Sequence, residues 1–105
     1  MTTLYENEDF WEGRGGWEMN NREKKAMETF KLFQDIAARV EHARQKHPLF
    51  AEGSFHALGV IESEFHELEY AIEHESEERQ KDEALDVIAT CIRFLCDEHK
   101  QEPQK

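Results

Sequence analysis

Between Ser54 and Glu75 the apolar residues Leu58, Ile61, Phe65, Leu68 and Ile72 recur at spacings of three, four, three and four. That rhythm keeps side chains on one side of an α-helix; a strand would need a period of two. Two further segments repeat it. From about Asn21 to Gln45 the stripe is Phe30, Phe33, Ala37 and Val40, widened by Leu32 and Ile36. From about Glu77 to His99 it is Leu85, Ile88, Ile92 and Leu95, with Val87, Cys91 and Phe94 beside it. No segment alternates in the manner of a strand. The expected fold is all-α: three long amphipathic helices, each with its stripe turned toward a core.

The breaks between the helices carry recognisable punctuation. Asn20 or Asn21 can cap the first helix, and Glu23 sits in its first turn, where the helix dipole favours an anion. Pro48 biases His47 away from helical geometry, and Gly53 marks the loop that follows. Ser54 reads as the N-cap of the second helix, and the polar run from His74 to Glu78 as the next turn. Gln101 to Lys105 reads as a fraying tail. Residues 1–20 lack periodicity but hold Tyr5, Phe10, Trp11 and Trp17, which are costly to leave in water. They are read as an N-terminal arm, with 21–100 as a single helical domain. Short connections imply up-down-up packing. Three such rods bury little of one another, so a homodimer or dimer of dimers is expected to complete a four-helix-type core by oligomerisation.

Charge excludes some partners. With 24 acidic and 13 basic side chains the net charge is −11, which repels nucleic-acid polymers. A polyphosphate arriving with a bound cation is still admissible, because the metal reverses the local sign. The opening residues have neither the basic nor the apolar part of a signal peptide, and no apolar run is long enough to span a membrane. Cys91 and Cys96 lie on one helix, fit neither a disulfide framework nor a zinc pattern, and are read as small core residues of a soluble, cytoplasmic protein. None of the six histidines has an acid three residues before it, which speaks against a di-iron bundle; His42, His47 and His99 are read as solvated.

The informative residues are acids. Glu64 and Glu67 lie on the stripe Ala57, Val60, Glu64, Glu67, Ala71, about 100° round the helix from the apolar one. Glu83 and Asp86 repeat the spacing on a stripe that continues to Thr90 and Arg93. If the second and third helices are antiparallel neighbours, both pairs face one groove. Four carboxylates there are tolerable around a hard cation such as Mg²⁺, or Mn²⁺ in its place, with open positions left for phosphate oxygens.

Glu64-Phe65-His66-Glu67-Leu68-Glu69-Tyr70-Ala71-Ile72, then Glu83-Ala84-Leu85-Asp86-Val87, resembles the E-x-x-E-L-x-x-A-I and E-x-x-D-V helices of the MazG-type all-α nucleoside triphosphate pyrophosphohydrolases. It is also similar to the related phosphoribosyl-ATP pyrophosphatases, and covers roughly residues 54–96. The resemblance implies magnesium held by Glu64, Glu67, Glu83 and Asp86, and hydrolysis of a nucleoside triphosphate to the monophosphate and pyrophosphate. Within it, Glu67 is expected as the catalytic group that accepts the proton of the attacking water, Arg93 as a phosphate ligand and Trp17 as a cover for the base. The competing expectation is a non-catalytic acidic helical module that keeps the fold and binds partners as an oligomer.

Overall fold

In the computed structural model, residues 19–100 are described. All regular structure among them is helical: α1 (Asn21–Lys46), α2 (Ser54–His74), α3 (Glu77–Leu95) and a 3₁₀ turn, η1 (Glu98–Lys100). The chain divides into two compact units, one ending at Phe33 and the other beginning at Gln34.

The first unit contains the start of α1, which closes on itself. The Asn20 side chain accepts a hydrogen bond from the Glu23 amide at 2.9 Å, and the Glu23 carboxylate accepts one from the Asn20 amide at 2.9 Å. This reciprocal pair satisfies two donors that a helix N-terminus otherwise leaves unmade. Asn20, rather than Asn21, is therefore the cap. Farther along, the rings of Phe30 and Phe33 meet edge to face at 6.1 Å.

In the second unit, α1 stops where Pro48 predicts, its last turn closed by the His47 amide on the Ala43 carbonyl at 2.8 Å. The loop brings Phe50 and Ala51 into the core beside Ala57, with Val60 packed against them. Gly53, not Ser54, precedes α2 as its N-cap, and its φ of 103° is a conformation that only glycine adopts without strain. Glu75 and Ser76 alone separate α2 from α3. The Ser76 side chain caps α3, accepting from the Arg79 amide at 3.2 Å. At the far end the Gly53 amide donates to the His99 carbonyl at 3.0 Å, so the end of α3 returns to the start of α2 and the two helices run antiparallel.

Several expectations are corrected. The third helix ends at Leu95, because Asp97 takes a left-handed φ of 62° that an aspartate tolerates and an α-helix cannot continue. The chain then turns into η1, burying His99, which stacks on Phe94 at 4.4 Å and is not solvated. On α2 and α3 the deepest positions are also not those of the expected stripes, although Val40 of the first stripe is buried. Leu58, Phe65 and Ile72 are 50%, 52% and 59% exposed, and Leu95 is 76% exposed, whereas Ala57, Ala71 and Ala89 are buried. The small residues face inward because they let the backbones of α2 and α3 approach closely, and the acids ride inward with them. Of the large apolar side chains, Leu58, Phe65, Ile72 and Leu95 are left exposed while Ile61, Leu68, Leu85 and Ile92 are half-buried. Cys96 is exposed and Cys91 half-buried, so only one of the pair approaches the core reading.

Candidate metal centre

Because the alanine stripe of α2 faces α3, Glu64 is carried into the helix–helix groove, where Glu83 and Asp86 meet it from α3. One carboxylate oxygen of each lies within 4.8 Å of the others. Glu83 is only 6% exposed, and Glu64 and Asp86 are half-buried. Two ionised carboxylates about 5 Å apart repel by roughly 3–4 kcal/mol at an effective dielectric near 20. The groove therefore suppresses charge. Burial, followed by the charges of Glu67, Asp86 and Glu83, pushes the Glu64 carboxyl up to about 7. Burial and the charge of Glu67 also raise Glu83, with Arg79 opposing them.

Two arginines offset the rest. Arg39, on α1, donates from Nη1 to Asp86 Oδ1 at 2.6 Å and to the Asp82 carbonyl at 3.3 Å, and from Nη2 to Asp82 Oδ1. Arg79, on α3, donates from Nη1 to Asp82 Oδ2 at 2.9 Å and from Nη2 to Glu83 Oε2 at 2.7 Å. Asp82 thus joins both cations, and the hydrogen bond from Arg39 holds its carboxyl below the usual range. Glu64 receives neither arginine. Glu83 Oε1 is buried without a donor, and the neighbouring Asp86 carboxyl, through its charge and a side-chain hydrogen bond, adds to the rise of Glu83. An orphaned buried carboxylate oxygen is expensive, and three converging carboxylates form a hard, all-oxygen donor set. The residues present could therefore hold a metal cation.

Three of the four sequence-predicted ligands come together. Glu67 lies one turn beyond Glu64, is exposed, and acts on Glu64 and Glu83 through its charge without joining the three. Arg93 is elsewhere. It is 3% exposed, donates from Nε to Glu98 Oε1 at 2.7 Å and from its Nη groups to the carbonyls of Ala43 at 3.3 Å and Pro48 at 3.4 Å, and lies 5.1 Å from the Phe50 ring centre. Those commitments make it a clamp between α3, the end of α1 and the loop. Trp17 and the rest of residues 1–18 lie outside the described residues, as does the tail at 101–105.

Beside the acids opens a cleft of about 670 Å³. Glu64 and Asp86 line it from α2 and α3; Arg39, His42 and Lys46 line it from α1, over an apolar floor that includes Phe50 and Val60. Sequence reasoning missed the contribution of α1. The available signal was the spacing of Arg39, His42 and Lys46, three and then four apart, which places them on one helix face. Nor did sequence reasoning single out Arg79 and Asp82 at the start of the third helix, since nothing local marks which charges in an acidic run meet a partner from another helix.

Comparison with protein-family models, with curated proteins and with solved structures finds no match to this chain. Among the described residues, no helix is long and apolar enough to cross a membrane.

Proposed function

We propose that this chain is a magnesium-dependent pyrophosphohydrolase of the MazG type, acting on a nucleoside triphosphate to give the monophosphate and pyrophosphate. The observation that carries the reading is the meeting of Glu64, Glu83 and Asp86 from two helices, with Glu83 Oε1 buried and without a donor. Those three residues would hold the cation, with Mn²⁺ able to replace Mg²⁺. Bound there, the metal supplies Lewis-acid polarisation and neutralises charge developing on the phosphates. Glu67, exposed at the rim beside Glu64, accepts the proton of the water that attacks the phosphoryl group. The cleft keeps its charged groups at the edges and an apolar floor between them, which suits a ligand with an anionic chain and a flat ring system. The exposed apolar face of α2 and α3 supports the expectation of a homodimer or dimer of dimers.

A second reading has its own support. Arg39 and Arg79 already neutralise Asp86 and Glu83, so the groove holds together without a metal, as a non-catalytic acidic binding module would require. Pyrophosphate release from a panel of ribo- and deoxynucleoside triphosphates separates the two. The enzyme releases pyrophosphate only with Mg²⁺ or Mn²⁺, and Glu64→Gln and Asp86→Asn each reduce release by about a hundredfold or more. No release from any nucleotide, and no change of melting temperature with either metal, would leave the module.

A further inference from the structure

The charge of the cleft is divided in a way that the acids alone do not explain. The chain carries −11, yet the α1 side of the cleft presents Arg39, His42 and Lys46 and no carboxylate. Positions 39, 42, 43 and 46 all line it, so a continuous face of α1 is turned inward over two helical turns, a row roughly 10 Å long. Arg39 is bound to Asp82 and Asp86. Among the described residues no carboxylate lies within ion-pair distance of Lys46 or His42, although acids outnumber bases 24 to 13. Arg93, the other arginine lining the cleft, is taken up by Glu98.

We propose that this face of α1, Lys46 and His42 with Arg39 at its inner end, is an anion-binding wall that takes the outer phosphate groups of a polyphosphate ligand lying between it and the acid cluster. It deepens the preceding reading by assigning residues outside the acid motifs to the ligand's charge. The ligand class follows from the geometry. A single phosphate is too short to touch both ends of a row roughly 10 Å long, whereas a chain of two or three phosphates follows it from Arg39 to Lys46. Lysine and histidine donors suit this role: each donates hydrogen bonds to phosphate oxygens without demanding the planar geometry of a carboxylate pair. Arg39 stands where both halves meet. Its Nη1 bonds Asp86 and its Nη2 bonds Asp82, so a cation that engages Asp86 would release one of these contacts to the ligand's oxygens while Asp82 keeps the guanidinium in place.

Calorimetric titration of the full chain with inorganic tripolyphosphate, with and without Mg²⁺, tests the wall. The series comprises wild type, Lys46→Ala, His42→Ala and the control Lys100→Ala, whose lysine pairs with Asp97 and does not line the cleft. Lys46→Ala should weaken tripolyphosphate binding about tenfold, the loss of one charge-assisted contact, and Lys100→Ala should leave it unchanged. The Mg²⁺-induced rise in melting temperature should persist in Lys46→Ala, since Lys46 is outside the acid cluster. Equal affinity in wild type, Lys46→Ala and His42→Ala overturns the wall, as does an equal loss in Lys100→Ala or no binding by wild type in either condition. If wild type ignores Mg²⁺ but still binds tripolyphosphate through Lys46, the wall stands and the metal reading falls.

Discussion

A carboxyl raised toward neutrality would make proton and metal compete for the same oxygen in the folded state, and Glu64 is such a group. Burial and its acidic neighbours raise it to about 7, while in the unfolded chain it titrates near 4.5. Between those values the folded protein holds a proton that the unfolded chain has lost, so metal-free stability falls as pH rises from about 4.5 to about 7 and then levels off. The contribution is on the order of 1–2 kcal/mol once solvent screening at a half-buried site is allowed for. Asp82 and Glu98 are lowered and act in the opposite sense, losing stability as pH falls below the ordinary carboxylate range. Glu64→Gln keeps the shape and removes the charge. It should therefore raise the metal-free melting temperature at pH 8 by a few degrees, flatten the slope between pH 5 and 7, and abolish the response to Mg²⁺. Thermal unfolding across pH, with and without the metal, checks all three; a variant less stable than wild type at pH 8 would mean that Glu64 is not repelled there.

At the scale of elements, long side chains tie α1 to the α2–α3 hairpin. Arg39 reaches Asp82 and Asp86 at one place, Arg44 reaches Glu98 at 2.6 Å at another, and Arg93 completes the second junction from within. Burial pushes the Glu98 carboxyl up, but hydrogen bonds from Arg44 and Arg93 outweigh it and hold the group below its ordinary value. Arg93→Met leaves that carboxylate partly buried with one cation and leaves the Ala43 and Pro48 carbonyls without its donors, a loss of about 3 kcal/mol. Denaturant unfolding should show it as a lower midpoint at unchanged slope. Had Arg93 been a phosphate ligand, the change would spare stability and weaken nucleotide binding. Its neighbours on the stripe, Glu83, Asp86 and Thr90, gave no sign that it was a clamp, because Glu98 meets it only after Asp97 ends the helix.

For the whole molecule the decisive feature is the apolar face that the second unit leaves outside. Leu58, Phe65, Ile72 and Leu95 are exposed on α2 and α3, while no large side chain among the described residues is fully buried. A stable interface removes on the order of 1,600 Å² from water in total, and two antiparallel helices of this length offer enough area. Sedimentation should therefore give a dimer or larger species, and Phe65→Lys should shift it toward monomer with loss of stability; a monomeric wild type would sink the expectation. Much of this was legible in the chain itself. Periodicity of three and four is set by helix geometry, so the number and type of elements, the break at Pro48 and the pairing of acids by i, i+3 spacing follow from residues close in sequence. Which stripe turns inward does not. Either stripe of α2 satisfies the helix equally, and only packing against α3 and the loop at Phe50 and Ala51 chose the alanines, because small side chains allow the close approach. Packing in three dimensions also set which three acids meet, gave Arg39 its two aspartates and turned Lys46 toward a cleft. Each of these depends on residues about twenty to nearly fifty positions apart, where no local pattern carries information.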